Sequence, residues 1–176
     1  SAGAAGMWHF MRNTGKEYGL EINQNVDERY HIEKSTKVAA QYLIKAKERF
    51  GSWTLAAAAY NAGNYGISRR LEAQGVTSYY DAFLSNETER YVLRIIALKE
   101  VLSNPRKYGF KFEEKDLYTM EKTRTIKVDT TITNIALFAK KFGFNYKELK
   151  LHNPWLRQNK LNNRSQKVYE IKIPIK

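Results

Sequence analysis

Along the first two thirds of the chain, apolar residues recur at the three-and-four spacing of helices buried on one side. Val38, Ala39, Tyr42, Leu43 and Ala46 share one such face, with Ser35 placed to cap it and Phe50-Gly51 to close it. Trp53 to Tyr60 predicts a second helix, whose four consecutive alanines let it lie close to its neighbours. Ile67 to Ala73 predicts a shorter one, stopped by Gly75. Asn86 is placed to cap a long helix with Tyr91, Val92, Ile95, Ile96 and Leu102 turned inward, ended by Pro105 and Gly109. Ahead of these, Met7 to Met11 reads as an apolar helix start, entered through Gly3 and Gly6 and broken by Thr14-Gly15. Asn23 to Arg29 reads as a polar loop, and His31 to Lys34 as its connection to the next helix.

The pattern changes beyond residue 109. Residues 110–123 are charged and aperiodic, as in a linker or a surface arm. Thr125 to Val128 then alternates like a strand. Ile132, Ile135, Ala136, Ala139 and Phe142 repeat like a helix that stops at Gly143. Asn145 is placed to cap a further helix carrying Leu149 and Leu151 and ending at Asn153-Pro154. Val168 to Ile173 alternates again. This predicts a βααβ module of about the smallest size that folds alone.

With 43% hydrophobic and 13% aromatic residues, the 176-residue chain is a folded protein rather than a disordered one. No apolar run approaches membrane-spanning length, and there is no signal-peptide pattern. The absence of cysteine excludes disulfides, a thiol nucleophile and thiolate metal sites. The net charge of +12 is uneven: residues 1–110 hold 15 basic and 11 acidic side chains, residues 111–176 hold 15 and 7. Such a surplus suits a polyanionic partner, whether nucleic acid, an anionic membrane or an acidic wall polymer, and equally a basic soluble surface. No recognised nucleic-acid motif accompanies it.

The stretch Ala59-Tyr60-Asn61-Ala62-Gly63 ends the alanine-rich helix with an aromatic hydroxyl and an amide, groups suited to a sugar ring and its N-acetyl arm. The same two side chains can instead satisfy each other and the helix end.

Taken together, the motifs resemble those of the lysozyme-like lytic transglycosylases, in particular the membrane-bound, D-type branch. Gly3 to Met11, with Thr14-Gly15 and Tyr18-Gly19-Leu20, is similar to the family's glycine-rich signature. Asp27-Glu28-Arg29 and Ser35-Thr36 fit its connecting segment, Ala59 to Gly63 its central motif, and Glu87-Thr88 with Tyr91-Val92 its last one. Residues 124–176 look like a LysM sugar-binding module.

The resemblance implies a mainly α fold: a lysozyme-like helical domain over 1–109, incomplete at its start, a linker over 110–123, and a βααβ LysM-like module over 124–176. It implies cleavage of the β-1,4 bond between N-acetylmuramic acid and N-acetylglucosamine in peptidoglycan. One glutamic acid protonates the leaving oxygen and then accepts the proton of the muramic C6 hydroxyl, which closes on C1 to give a 1,6-anhydro product. Such an acid needs an apolar setting that raises its pKa, and the family places it upstream of the glycine-rich signature, hence upstream of Ser1. The chain is accordingly expected to be a fragment without catalysis of its own. Asp27, Glu28 and Glu33 fall in a polar, solvated stretch, and Glu17 and Glu21 are expected to be exposed.

The resemblance carries substrate contact onto His9, Met11, Thr14, Tyr60, Asn61, Glu87 and Tyr91. Tyr91 also fits a core position, and His9 stands where the family usually has glutamine. No metal and no cofactor is implied. The implied partners are peptidoglycan glycan strands and, at the LysM-like module, N-acetylglucosamine units, with no nucleic acid. The module lacks the glycine of the usual Gly-Asp-Thr turn, having Val128-Asp129-Thr130. Trp155 can stack on a sugar face or cover the small core. The implied location is the periplasm or cell envelope, with outer-membrane attachment through an N-terminal segment. The alternative is a non-catalytic protein that binds peptidoglycan or another N-acetylglucosamine polymer.

Overall fold

The computed structural model describes residues 3–175. Its elements are α1 (Arg12–Glu17), α2 (Ile32–Phe50), α3 (Trp53–Ala62), α4 (Asn64–Gln74), α5 (Asn86–Ser103), β1 (Thr123–Val128), α6 (Ile135–Lys141), α7 (Tyr146–His152) and β2 (Tyr169–Pro174). The fold is thus mostly helical, with one two-stranded sheet. Among the described residues no helix is long and apolar enough to cross a membrane.

Packing divides the chain into two units: Ala40 to Tyr118 form one, and the residues up to Ala39 form the other together with those from Thr119 onward. The second of these contains the βααβ module. In it β1 runs antiparallel to β2, with Ile126 opposite Ile171 and Thr123 opposite Pro174. Tyr169, Ile171 and Ile173 alternate inward along β2 onto Ile135, Ala139 and Leu149 of the two helices. Asn145 caps α7 through a reciprocal pair with Glu148, and Gly143 turns the chain between α6 and α7 at φ 81°. Asn153, fully buried, donates to the carbonyls of Leu149 (2.9 Å) and Lys172 (2.7 Å) and accepts from the Lys172 N–H, tying α7 to β2. Trp155 is 4% exposed and stacks on Tyr169 and His31, so it covers the core of this unit.

The Ala40–Tyr118 unit is centred on α3, which packs against α4 and α5. Ser52 caps α3, and Ala56, Ala58 and Ala59 are buried without remainder, as close helix approach requires. Gly63 ends α3 at φ 81° and Gly75 ends α4 in the left-handed conformation.

Several local expectations are corrected. Met7 to His9 form a turn between the paired Ala5 and Phe10, and the helix starts only at Arg12 and runs through Thr14-Gly15. Gly15 stands in the helix interior because Ile22 and Arg29 pack where a Cβ would be and leave no room for a side chain. Helix α2 begins at Ile32, so Ser35 is inside its first turn, where its hydroxyl donates to the Ile32 carbonyl. Ser85 rather than Asn86 caps α5. On α5 only Val92 of the apolar residues is buried; Ile95, Ile96 and Leu102 are 45, 53 and 69% exposed. Periodicity marks an apolar face but does not say what covers it.

Candidate functional site

Helix α3 and the first turn of α5 bring two of the sequence motifs together. The Asn61 amide donates to a Glu87 carboxylate oxygen at 3.1 Å and accepts from the Thr88 hydroxyl at 2.9 Å. This fixes which way the amide points, and uses one of its two N–H groups and one of its two oxygen lone pairs. Thr88 is itself held: it is 3% exposed, with its hydroxyl 3.0 Å from that of Ser85 and its carbonyl 3.1 Å from the Tyr79 hydroxyl. Tyr60 is half-buried beside Asn61, edge-on to the ring of Tyr42 with centroids 5.4 Å apart. Tyr42 in turn donates to the Ala59 carbonyl at 3.0 Å. Burial, with smaller contributions from Tyr91 and Tyr42, pushes the Tyr60 hydroxyl well above the ordinary phenol range, so it remains a neutral hydrogen-bonding group. Burial also raises Tyr91. Tyr91 lies one turn beyond Glu87 on α5 and is half-buried, whereas Glu87 is exposed.

His9, Met11 and Thr14 belong to the other unit. His9 is exposed at the tip of the Ala5–Phe10 turn and has a left-handed backbone, φ 55°. Met11 is 48% exposed and precedes α1, and Thr14 lies within α1.

The structure corrects the reading of the acidic stretch. Asp27 and Glu28 are 6% and 3% exposed, not solvated. Asp27 holds Arg29 through two side-chain bonds of 3.0 and 2.7 Å, and Glu28 pairs with Lys34 and accepts the Glu21 N–H at 2.8 Å. Glu21 is largely covered. Burial pushes its carboxyl up, but hydrogen bonds from Lys167, Tyr169 and Asn23 outweigh that and leave its pKa below the ordinary value. Glu33 is lowered in the same way by Lys172. Each of these acids is committed to a cation or to backbone N–H groups, the reverse of the apolar setting that a catalytic proton donor requires.

Sequence reasoning gave three residues no role of their own, though two of them, Thr88 and Arg29, stand in the quoted motifs. Thr88 was visible as Ser85-x-x-Thr88 at a helix start, the spacing that lets the capping hydroxyl meet it. Arg29 was visible as the partner of Asp27 two residues away. Asn163, which links the carbonyls of Asp129 (2.9 Å) and Lys167 (2.7 Å) and so pins together the loops following β1 and preceding β2, left no sequence signal.

Residues 1–83 match the family described as the transglycosylase SLT domain, and residues 124–176 match the soluble lytic transglycosylase C-terminal LysM-like domain. Two curated relatives, each called membrane-bound lytic murein transglycosylase D and coming from Escherichia coli strains K12 and O6:H1, are 33% identical over 120 residues. That alignment takes in 65% of this chain and 26% of each relative, so the chain spans about a quarter of their length. The chain is thus similar to a transglycosylase SLT domain over residues 1–83 and to a LysM-like domain of the soluble lytic transglycosylase type over residues 124–176, in that order.

Proposed function

We propose that this chain is part of a peptidoglycan lytic transglycosylase that cleaves the MurNAc-β-1,4-GlcNAc bond and leaves a 1,6-anhydro-MurNAc end. The observation that carries the reading is the node at Asn61, where the central motif and the last motif, 26 residues apart, meet through a single oriented amide. Tyr60 and Asn61 contact the sugar and orient the catalytic acid, and Glu87 and Tyr91 approach the muramic unit from α5. Met11 packs against the saccharide, with His9 and Thr14 contributing polar groups. The acid/base glutamate belongs to residues of the parent protein outside this sequence, which fits the commitment of Asp27, Glu28 and Glu33 to ion pairs. The sequence modules are residues 1–109, the linker 110–123 and residues 124–176, the last of them binding N-acetylglucosamine units. The place of action is the cell envelope, at the periplasmic side or attached to the outer membrane.

The test is digestion of purified sacculi by the parent protein, with the products separated and weighed. Anhydro-muropeptides are expected, and they should diminish strongly in an Asn61→Ala variant. Reducing ends would replace the proposal by hydrolysis. Glycan binding without any product would favour the second reading, a non-catalytic wall-binding protein.

A further inference from the structure

The βααβ module is gripped by a segment far away in the sequence. Val26 is fully buried within the module's own core and bridges to Leu156. On either side of it, the Asp27 N–H donates to the Trp155 carbonyl at 2.9 Å and the Arg157 N–H to the Asn25 carbonyl at 2.8 Å. The Glu21 carboxylate accepts from the Tyr169 hydroxyl at 2.8 Å and from Lys167 at 2.5 Å, and Glu33 pairs with Lys172. The Arg157 guanidinium lies 4.2 Å over the ring of Tyr30.

The same segment holds the glycine-rich turn. Arg29, oriented by Asp27, donates from one guanidinium nitrogen to the carbonyls of Gly3 (2.6 Å) and Phe10 (3.0 Å), which flank the turn bearing His9. The Arg29 carbonyl sits 1.8 Å from where a Cβ on Gly6 would lie, so the turn rests directly on the Arg29 backbone. A turn of this kind, with His9 at φ 55°, depends on its surroundings to keep its shape. Groups that contact a ligand must be held to within about 0.5 Å by such supports.

We infer that the C-terminal module acts as the support of the glycine-rich turn: it fixes residues 21–33, these fix Arg29, and Arg29 is a positioning residue for His9 and Met11. The module thereby shapes glycan contact at a distance and is more than a detachable sugar-binding appendage. The functional part of this inference rests on the proposed glycan contact at His9 and Met11.

Hydrogen exchange, and titration with a soluble N-acetylglucosamine tetramer whose affinity is read from the His9 and Met11 resonances so that binding at the module is kept apart, test it on the full chain. Val26→Ala and Glu21→Gln should each raise exchange at the Ala5 and His9 amides by about tenfold and weaken tetramer binding. Arg29→Lys, which keeps a cation beside Asp27 but lacks the fork that reaches the Gly3 and Phe10 carbonyls, should do the same while the Ile132 and Leu161 amides of the module stay protected. A role in stability alone would instead raise exchange across the whole unit in proportion. If Val26→Ala unfolds the unit, Glu21→Gln, which leaves the core intact, decides. Faster exchange in the module with the Ala5 and His9 amides unchanged would overturn the inference. Faster exchange at the turn with unchanged tetramer affinity would leave the positioning intact and refute the assignment of glycan contact to His9 and Met11.

Discussion

The two packing units solve the problem of a defined interior in opposite ways. The unit with the βααβ module buries Asp27, Glu28, Arg29, Ser35, Asn153 and Asn163, whereas Ala40–Tyr118 buries one polar side chain among the described residues, Thr88. In the first, buried charge and amide groups leave little freedom in how distant segments meet, because each wrong register strands a polar atom. In the second, alanines bring helices close, and specificity is concentrated at the single node of Asn61, Glu87 and Thr88. Removing one polar group from the first unit strands its partner in the interior; removing the node from the second costs local geometry and keeps the packing.

Asp27→Ala should have the largest effect. It leaves the Arg29 charge buried without its carboxylate, which costs about 3 to 5 kcal/mol, and chemical denaturation should show a marked drop in the stability of the module's unit. Gly6→Ala comes next, at about 3 kcal/mol, since both the positive φ of 77° and the close Arg29 carbonyl exclude a side chain. Asn61→Ala should cost only about 1 kcal/mol while sharply reducing glycan binding. A loss of stability as large as that of Asp27→Ala would erase the contrast between the units.

A pH series probes the polar unit with a smaller effect. Burial pushes the His31 imidazole below its ordinary value of 6.5, and Glu33, 3.1 Å away, offsets only part of this. The unfolded chain then binds the proton more readily, so stability is complete above about pH 6.5 and falls as the pH drops below it. Glu21 and Glu33, whose pKa values are depressed, add stability above the ordinary carboxyl value of 4.5 that is lost as the pH falls through their folded values. His31→Phe should flatten the first slope in urea titrations and leave the second. Smallest of all, removing the exposed Lys107–Glu100 pair with Lys107→Ala should change stability by about 0.5 kcal/mol or less.

Much of this was legible in the sequence where local chemistry decides the outcome. Asn145, Gly143 and Asn153 mark the ends of α6 and α7 because caps and left-handed turns depend on neighbours within a few residues. The same holds for Gly51, Gly63 and Gly75. The failures lie where a distant partner decides. Asp27-Glu28-Arg29 reads as a solvated loop until its distant partners are seen: the Trp155 carbonyl on Asp27, and the Gly3 and Phe10 carbonyls on Arg29. Ile95, Ile96 and Leu102 fit an inward stripe, yet they stand exposed. At the candidate site, Tyr60 and Asn61 were visible as residue types at a helix end. That Asn61 would be shared between Glu87 and Thr88 depends on how α3 meets α5, which no local pattern encodes.

The pairing of Val26 with Leu156, and of Glu21 with Tyr169, also sets a timetable for synthesis. Residues 21–33 are made long before Tyr169 to Ile173 exist, so they wait for their partners through most of the synthesis of this stretch. During that interval the Val26 side chain is uncovered and the Asp27–Arg29 pair lies open to water. A stop ahead of Tyr169 would therefore be felt at residues 21–33, as a segment exposed to proteases.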